Sequence, residues 1–120
     1  IASMDFEIIK TQGYTLISVL NDRLDTNIAP DLKSELVQLN SGGERNIILD
    51  VSNCTYCDSS GLSAILVANR LCEDAIGTFI LTGLQADVEH IIRISMLHTV
   101  LIITKTIPEA EELLKEKENL

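Results

Sequence analysis

The chain has no tryptophan, and its aromatics are two phenylalanines and two tyrosines in 120 residues. A core without large rings has to be built from Ile, Leu, Val and Ala, which suits helices packed on a sheet. Cysteine is scarce as well. Three is an odd number, and nothing marks secretion, so a disulfide framework is excluded as the source of stability. Positive charge is in short supply: nine Lys and Arg stand against 18 Asp and Glu, a net charge of −9. That balance argues against an electrostatic grip on nucleic acid or on an anionic membrane, and is compatible with a basic protein partner. No run reaches the roughly 18 apolar residues that a membrane helix requires. Nor does a charged segment lead into an apolar stretch and a small-residue cleavage site. The expected setting is the cytoplasm, with no membrane insertion.

What is present is a hydrophobic fraction of 46%, enough at this length for one domain with a modest core. Residues 1–3 precede Met4 and read as a remnant of cloning, with Met4 as the native start and 4–120 as the domain. There is no internal repeat and no linker. Residues 5–10 (DFEIIK) and 14–20 (YTLISVL) are β-prone and flank a short turn, which predicts an antiparallel hairpin. Leu24 is placed in a short third strand. Ala29, Leu32, Leu36 and Leu39 recur at helical spacing, so a helix is expected over 28–40, with Pro30 in its first turn and Asp25, Thr26 or Asn27 as its cap.

After the break at "SGGER", residues 46–52 (NIILDVS) form a continuous apolar run of the kind buried on both faces of a sheet. Residues 59–74 carry Leu62, Ile65, Leu66, Ala68 and Cys72 on one stripe, a second helix. Strands are expected at 77–82 and 99–104, a helix at 85–95 through Val88, Ile91 and Ile92, and a last helix from Pro108 through Ala110, Leu113 and Leu114. Alternating strands and helices make this an α/β domain with a mixed, mostly parallel sheet of four to five strands and about four helices. In such sheets, sites gather where a strand hands over to the next helix.

"CTYCDSSGL", residues 54–62, lies at such a place and offers two chemistries. Cys54 and Cys57 have redox or metal-pair spacing. A reactive thiol, however, needs a helix N-terminus and a positive environment. Zinc would need further ligands from Cys72, His90 and His98, and Cys72 falls in an apolar stripe while the histidines lack paired spacing. The cysteines are therefore expected to be small buried hydrophobes, and no metal or cofactor is expected. A serine hydrolase would need a base and an orienting acid. The sequence is not G-x-S-x-G, and only two histidines are available. Asp58, Ser59, Ser60 and Gly61 are equally the ingredients of an N-cap. A third chemistry is phosphoryl acceptance by a serine at a helix N-terminus, where amides and the helix dipole favour an anion.

"DSSGL" behind a buried strand resembles the phosphorylation motif of the bacterial anti-sigma-factor antagonists of the STAS domain family. The likeness extends over nearly the whole chain. "LNDRLDTNIAPDL" is similar to that family's G-E-L-D segment, aligning its Asp with Asp25, and "IIRISMLHTVLIIT" resembles its later helix, serine-containing turn and last strand. The resemblance implies that Ser59 is the phosphoacceptor and that Asp25, Thr26, Asp58, Ser59, Ser60, Gly61 and Leu62 contribute to a partner-binding surface. It implies a switch and not an enzyme. The unphosphorylated protein binds an anti-sigma factor that is itself a serine kinase of the histidine-kinase-like ATPase fold. That kinase uses ATP to phosphorylate the antagonist and release it, and a PP2C-type phosphatase resets the cycle. A STAS subunit serving a transporter or a signalling phosphatase is the alternative within the family, and a thiol oxidoreductase using Cys54 and Cys57 is the alternative outside it. The pattern departs at Asp22 and Arg23, where Gly-Glu is usual, at Ser63, and at Met96, expected to enlarge an apolar patch near the interface. Asp50 ends a buried strand and is expected to hold loop amides near the serine.

Overall fold

The computed structural model describes residues 5–118. β1 (Phe6–Lys10) and β2 (Thr15–Val19) form the antiparallel hairpin, with Phe6 opposite Val19 and Lys10 opposite Thr15. β3 (Arg23–Leu24) follows, then α1 (Ala29–Ser41), β4 (Ile47–Asp50), β5 (Tyr56–Cys57), α2 (Ser59–Asp74), β6 (Phe79–Thr82), α3 (Ala86–Ile94), β7 (Ile102–Thr104) and α4 (Ile107–Glu118). The main sheet has the order β1-β2-β4-β6-β7, antiparallel only at its first pair. Its parallel register places Ile17 beside Leu49, Leu49 beside Leu81 and Leu81 beside Ile103.

The side-chain alternation of the strands sorts the core into two parts. Ile17, Ile47, Leu49 and Leu81 face α1, α2 and α3, meeting Leu32, Leu36, Ala64, Ile65, Ala68, Val88 and Ile92 in one continuous cluster. Ile48 and Ile80 point the other way and are covered by Ala110 and Leu114 of α4, with Tyr14 and Leu16 at the margin. Three right-handed crossovers that each step in the same direction along the sheet must place their helices on one face, which leaves α4 alone on the other.

The sequence-based boundaries hold except where polar turns cut a run short. The strand expected over 46–52 ends at Asp50, whose Oδ1 accepts the Ser52 N–H at 3.0 Å and turns the chain. The strand expected over 99–104 begins only at Ile102. Residues Leu97–Thr99 form a 3₁₀ turn entered through Met96 at φ +64°, and the Leu97 carbonyl accepts from the amides of Val100 and Leu101. Leu66, assigned to the buried stripe of the second helix, is 38% exposed; Ile65, Ala68 and Cys72 of that stripe are buried, joined by Gly61 and Ala64.

Candidate functional site

One structural element escapes the sequence pattern altogether. Tyr56 and Cys57 are a second short strand, β5, paired in parallel with β3 so that Arg23 faces Tyr56 and Leu24 faces Cys57. This two-stranded ribbon stands apart from the main sheet. Leu24 and Cys57 point into the core, while Arg23 and Tyr56 point outward, with the guanidinium carbon 4.0 Å from the ring centroid. A two-residue strand has no periodicity to read. The available signal was a lone aromatic beside the serine motif in a chain with almost none.

The ribbon delivers the chain directly to α2. Asp58 is the N-cap, in an extended conformation at φ −108°, ψ −171°, and its Oδ1 accepts the N–H groups of Ser60 at 2.9 Å and Gly61 at 3.1 Å. Its other oxygen, Oδ2, accepts the Thr26 hydroxyl at 3.3 Å, and the same hydroxyl lies 3.3 Å from Ser60 Oγ. Thr26, Asp58 and Ser60 thus tie the segment before α1 to the first turn of α2. Ser59 is the first helical residue and is exposed. The sequence suggested that the amides of this first turn would be open to an anion. Those of Ser60 and Gly61 are not, because Asp58 caps them, in keeping with the N-cap ingredients read from the same residues.

Gly61 is required by close approach. A Cβ at this position would lie 2.3 Å from the Leu24 carbonyl oxygen and 2.7 Å from Cys57 Sγ. The helix therefore packs its first turn directly on the ribbon, and the backbone at residue 61 is the contact surface. Leu62 is half-buried against the main core.

Asp25 is a supporting residue. It is 8% exposed, and its carboxylate accepts from Arg23 Nε at 3.1 Å and from the Asn27 N–H at 2.9 Å. The Arg23 hydrogen bond, followed by that of Asn27, holds the carboxyl below its ordinary pKa. The sequence offered Asp25, Thr26 or Asn27 as the side-chain cap of α1. Instead the N-cap is Ile28, without a side-chain cap bond, and the Asp25 backbone carbonyl accepts from the amides of Ile28 and Ala29. The side chain of Asp25 turns the backbone, and its carbonyl receives the helix.

The three cysteines are buried and unbonded to one another. Burial pushes each thiol up to about 12, with Asp50 and Asp22 adding for Cys54, and Asp58 and Cys54 adding for Cys57. That is the reverse of an activated thiol. Among the described residues no group of His, Cys, Asp and Glu is arranged to hold a metal ion, so Cys72, His90 and His98 are not gathered with the pair. No helix of the described residues is long and apolar enough to cross a membrane. Met96 is 59% exposed at the far end of α3. The near end is the one beside the motif loop, where Gln85 Nε2 donates to the Ser52 carbonyl at 2.6 Å. A nine-residue helix spans about 14 Å, so Met96 lies at the opposite end of α3 from the motif loop.

The STAS domain model matches residues 6–110. The anti-sigma factor antagonist BtrV of Bordetella bronchiseptica, so far a provisional assignment for that protein, is 29% identical over 80 residues, covering 67% of this chain and 69% of the relative. Among solved structures, the unphosphorylated form of the anti-sigma factor antagonist SpoIIAA superposes with a TM-score of 0.80 at 19% identity over 92% of this chain and 96% of that one. A serine-to-glutamate variant of RsbS from Moorella thermoacetica gives 0.82 at 20% identity over 96% and 98%. With a five-stranded main sheet and four helices among its described residues, the chain belongs to the STAS domain family and has the fold of its anti-sigma factor antagonists.

Proposed function

We propose that this protein is an anti-sigma-factor antagonist whose binding is switched off by phosphorylation of Ser59. The observation that carries the reading is the exposed Ser59 hydroxyl at the first position of α2, immediately beyond the Asp58 cap, on a domain of this family. The partner is an anti-sigma factor with serine-kinase activity, and its ATP supplies the phosphoryl group. The γ-phosphoryl passes to Ser59 Oγ, the hydroxyl proton leaves, and ADP is released. A PP2C-type phosphatase returns the serine by hydrolysis.

The local electrostatics favour release over refolding. A phosphoryl group adds about −1.5 to −2 charges beside the Asp58 carboxylate. Since Asp58 Oδ1 already holds the amides of Ser60 and Gly61, the helix terminus has little left with which to absorb the new anion. The phosphate therefore stays on the surface, against whatever is docked there. Burying it opposite a fitted partner costs several kcal/mol, and each ~1.4 kcal/mol is tenfold in affinity.

Thr26, Asp58, Ser60 and the stacked Arg23–Tyr56 pair frame the docking surface, while Asp25, Gly61 and Leu62 hold it in shape. The test is a phosphosite map of the native protein from growing and stressed cells, by intact mass and then peptide fragmentation. Phosphate on Ser59 that changes with condition supports the switch, and its absence under every condition removes it. Ser59→Ala is expected to bind the kinase constitutively. Ser59→Asp is expected to bind more weakly while keeping its thermal stability, because a carboxylate near a helix N-terminus is mildly favourable.

A further inference from the structure

Away from Ser59, a half-open cleft of about 530 Å³ lies between α3, the outer edge of β7 and the start of α4. Its size falls within the range of small-ligand sites. The apolar walls come from Leu84, Ile92, Leu101 and Ile103. β7 is the last strand of the sheet. The Thr104 carbonyl accepts from Thr82 Oγ1 and from the Gly83 N–H, so it points inward to β6. Strand alternation then turns the N–H and C=O of Ile103 outward, to the cleft side.

The charged lining is unevenly committed. Glu89 pairs with Arg93, at 3.0 Å to Nη2 and 3.1 Å to Nε. Glu109 Oε2 accepts the backbone N–H of Lys105. Among the described residues the Lys105 ammonium has no carboxylate within ion-pairing distance. His98 lines the same cleft, and its Nδ1 is buried without a hydrogen-bond partner. Buried polar atoms in native proteins are rarely left so. Arg93 and Lys105 balance Glu89 and Glu109, which makes this cleft a neutral island on a chain of net charge −9.

We infer that this cleft binds a small aliphatic carboxylate, its chain against Leu84, Ile92, Leu101 and Ile103 and its carboxylate against Lys105. An apolar floor calls for a hydrocarbon body. An unpaired ammonium at the rim, with an outward backbone N–H next to it, calls for an anionic oxygen. The opposite polarity, a cationic head, would find both carboxylates already engaged.

The test is a titration of the full chain with sodium octanoate, followed by ¹H–¹⁵N correlation spectra. Saturable shifts confined to the amides of Leu84, Leu101, Ile103 and Lys105 and their neighbours are expected. Octanol, with the same chain and no charge, should bind about tenfold more weakly, as should octanoate with Lys105→Glu, an exposed change that leaves the core intact. Shifts that do not saturate, or that map elsewhere, overturn the site. Equal binding of octanol, or tighter binding of octylamine, overturns the carboxylate assignment. The inference is independent of the phosphorylation reading, and Ser59→Ala should bind octanoate as the parent does.

Discussion

At the scale of single residues, the region around Ser59 is defined by how fully its neighbours are engaged. Asp58 gives both oxygens, to two amides and to Thr26. Asp25 gives its carboxylate to Arg23 and Asn27. Gly61 gives up its side chain. Replacing Gly61 by Ala puts a methyl group against the Leu24 carbonyl at 2.3 Å. Overpacking of that kind typically costs about 1–3 kcal/mol, and the better helix propensity of Ala recovers only about 1. A net loss of about 1 kcal/mol, and at most about 2, is expected in urea unfolding. Asp25 has its folded pKa depressed, so its contribution is present above the ordinary carboxylate range and is lost as pH falls through the folded value. Arg23→Ala removes the largest cause of that depression. The Asp25 carboxyl should then titrate at a higher pH by NMR, yet remain below the ordinary range because the Asn27 N–H stays in place.

At the scale of elements, most of the fold was legible because most elements are long enough to show a period. The helical stripe of Ala29, Leu32, Leu36 and Leu39 is buried as read, and the buried run at 46–52 is the central strand β4. What was not legible depends on contacts distant in sequence. β5 exists only because β3 lies beside it, and the Thr26–Asp58–Ser60 tie joins segments 32 and 34 residues apart. The exposure of Leu66 follows from the direct packing of Gly61 on the ribbon, which rotates the buried face of α2 toward Ala64 and Ala68. Ser59 itself was visible from the motif. The Asp58 cap was among the readings the sequence offered; the support that Asp25 gives as a turn-former was not.

α4 covers its face of the sheet without a neighbouring helix among the described residues. It rests on Ile48 and Ile80 through Ala110 and Leu114, and Tyr14 donates its hydroxyl to Glu111 across the seam. That hydrogen bond, followed by burial and the Glu111 charge, raises the Tyr14 pKa above its ordinary value of 10.0. The sign is that of a raised group: its contribution is full below pH 10.0 and disappears as pH climbs through the folded value. Tyr14→Phe should therefore be less stable than the parent at neutral pH, and the gap should narrow in strongly alkaline solution. Urea unfolding at a series of pH values reads this directly.

At the scale of the whole molecule, the three thiols report on integrity. Each is buried with a pKa pushed to about 12, so almost no thiolate exists at neutral pH. Iodoacetamide in mildly alkaline buffer is expected to leave the folded protein unmodified and to label all three cysteines in denaturant, as read by intact mass. Rapid labelling of Cys54 and Cys57 in the native state would show instead that the ribbon opens.

The strand order β1-β2-β4-β6-β7 is also the order in which those strands occur along the chain. No later strand has to be threaded between two earlier ones, so each finds the edge it needs already in place. During synthesis the sheet can grow from the hairpin outward as each βα unit emerges, each parallel pairing joining a strand to the one just before it in the sheet. Such monotonic assembly avoids threading, while each parallel pairing is still slow to close and leaves the growing edge open until the next strand arrives. It also fixes a sequence of maturation. The Ser59 turn is complete once β3, β5 and α2 are out, whereas the cleft beside β7 forms only with the last helix. The molecule gains the Ser59 turn first and its far edge last.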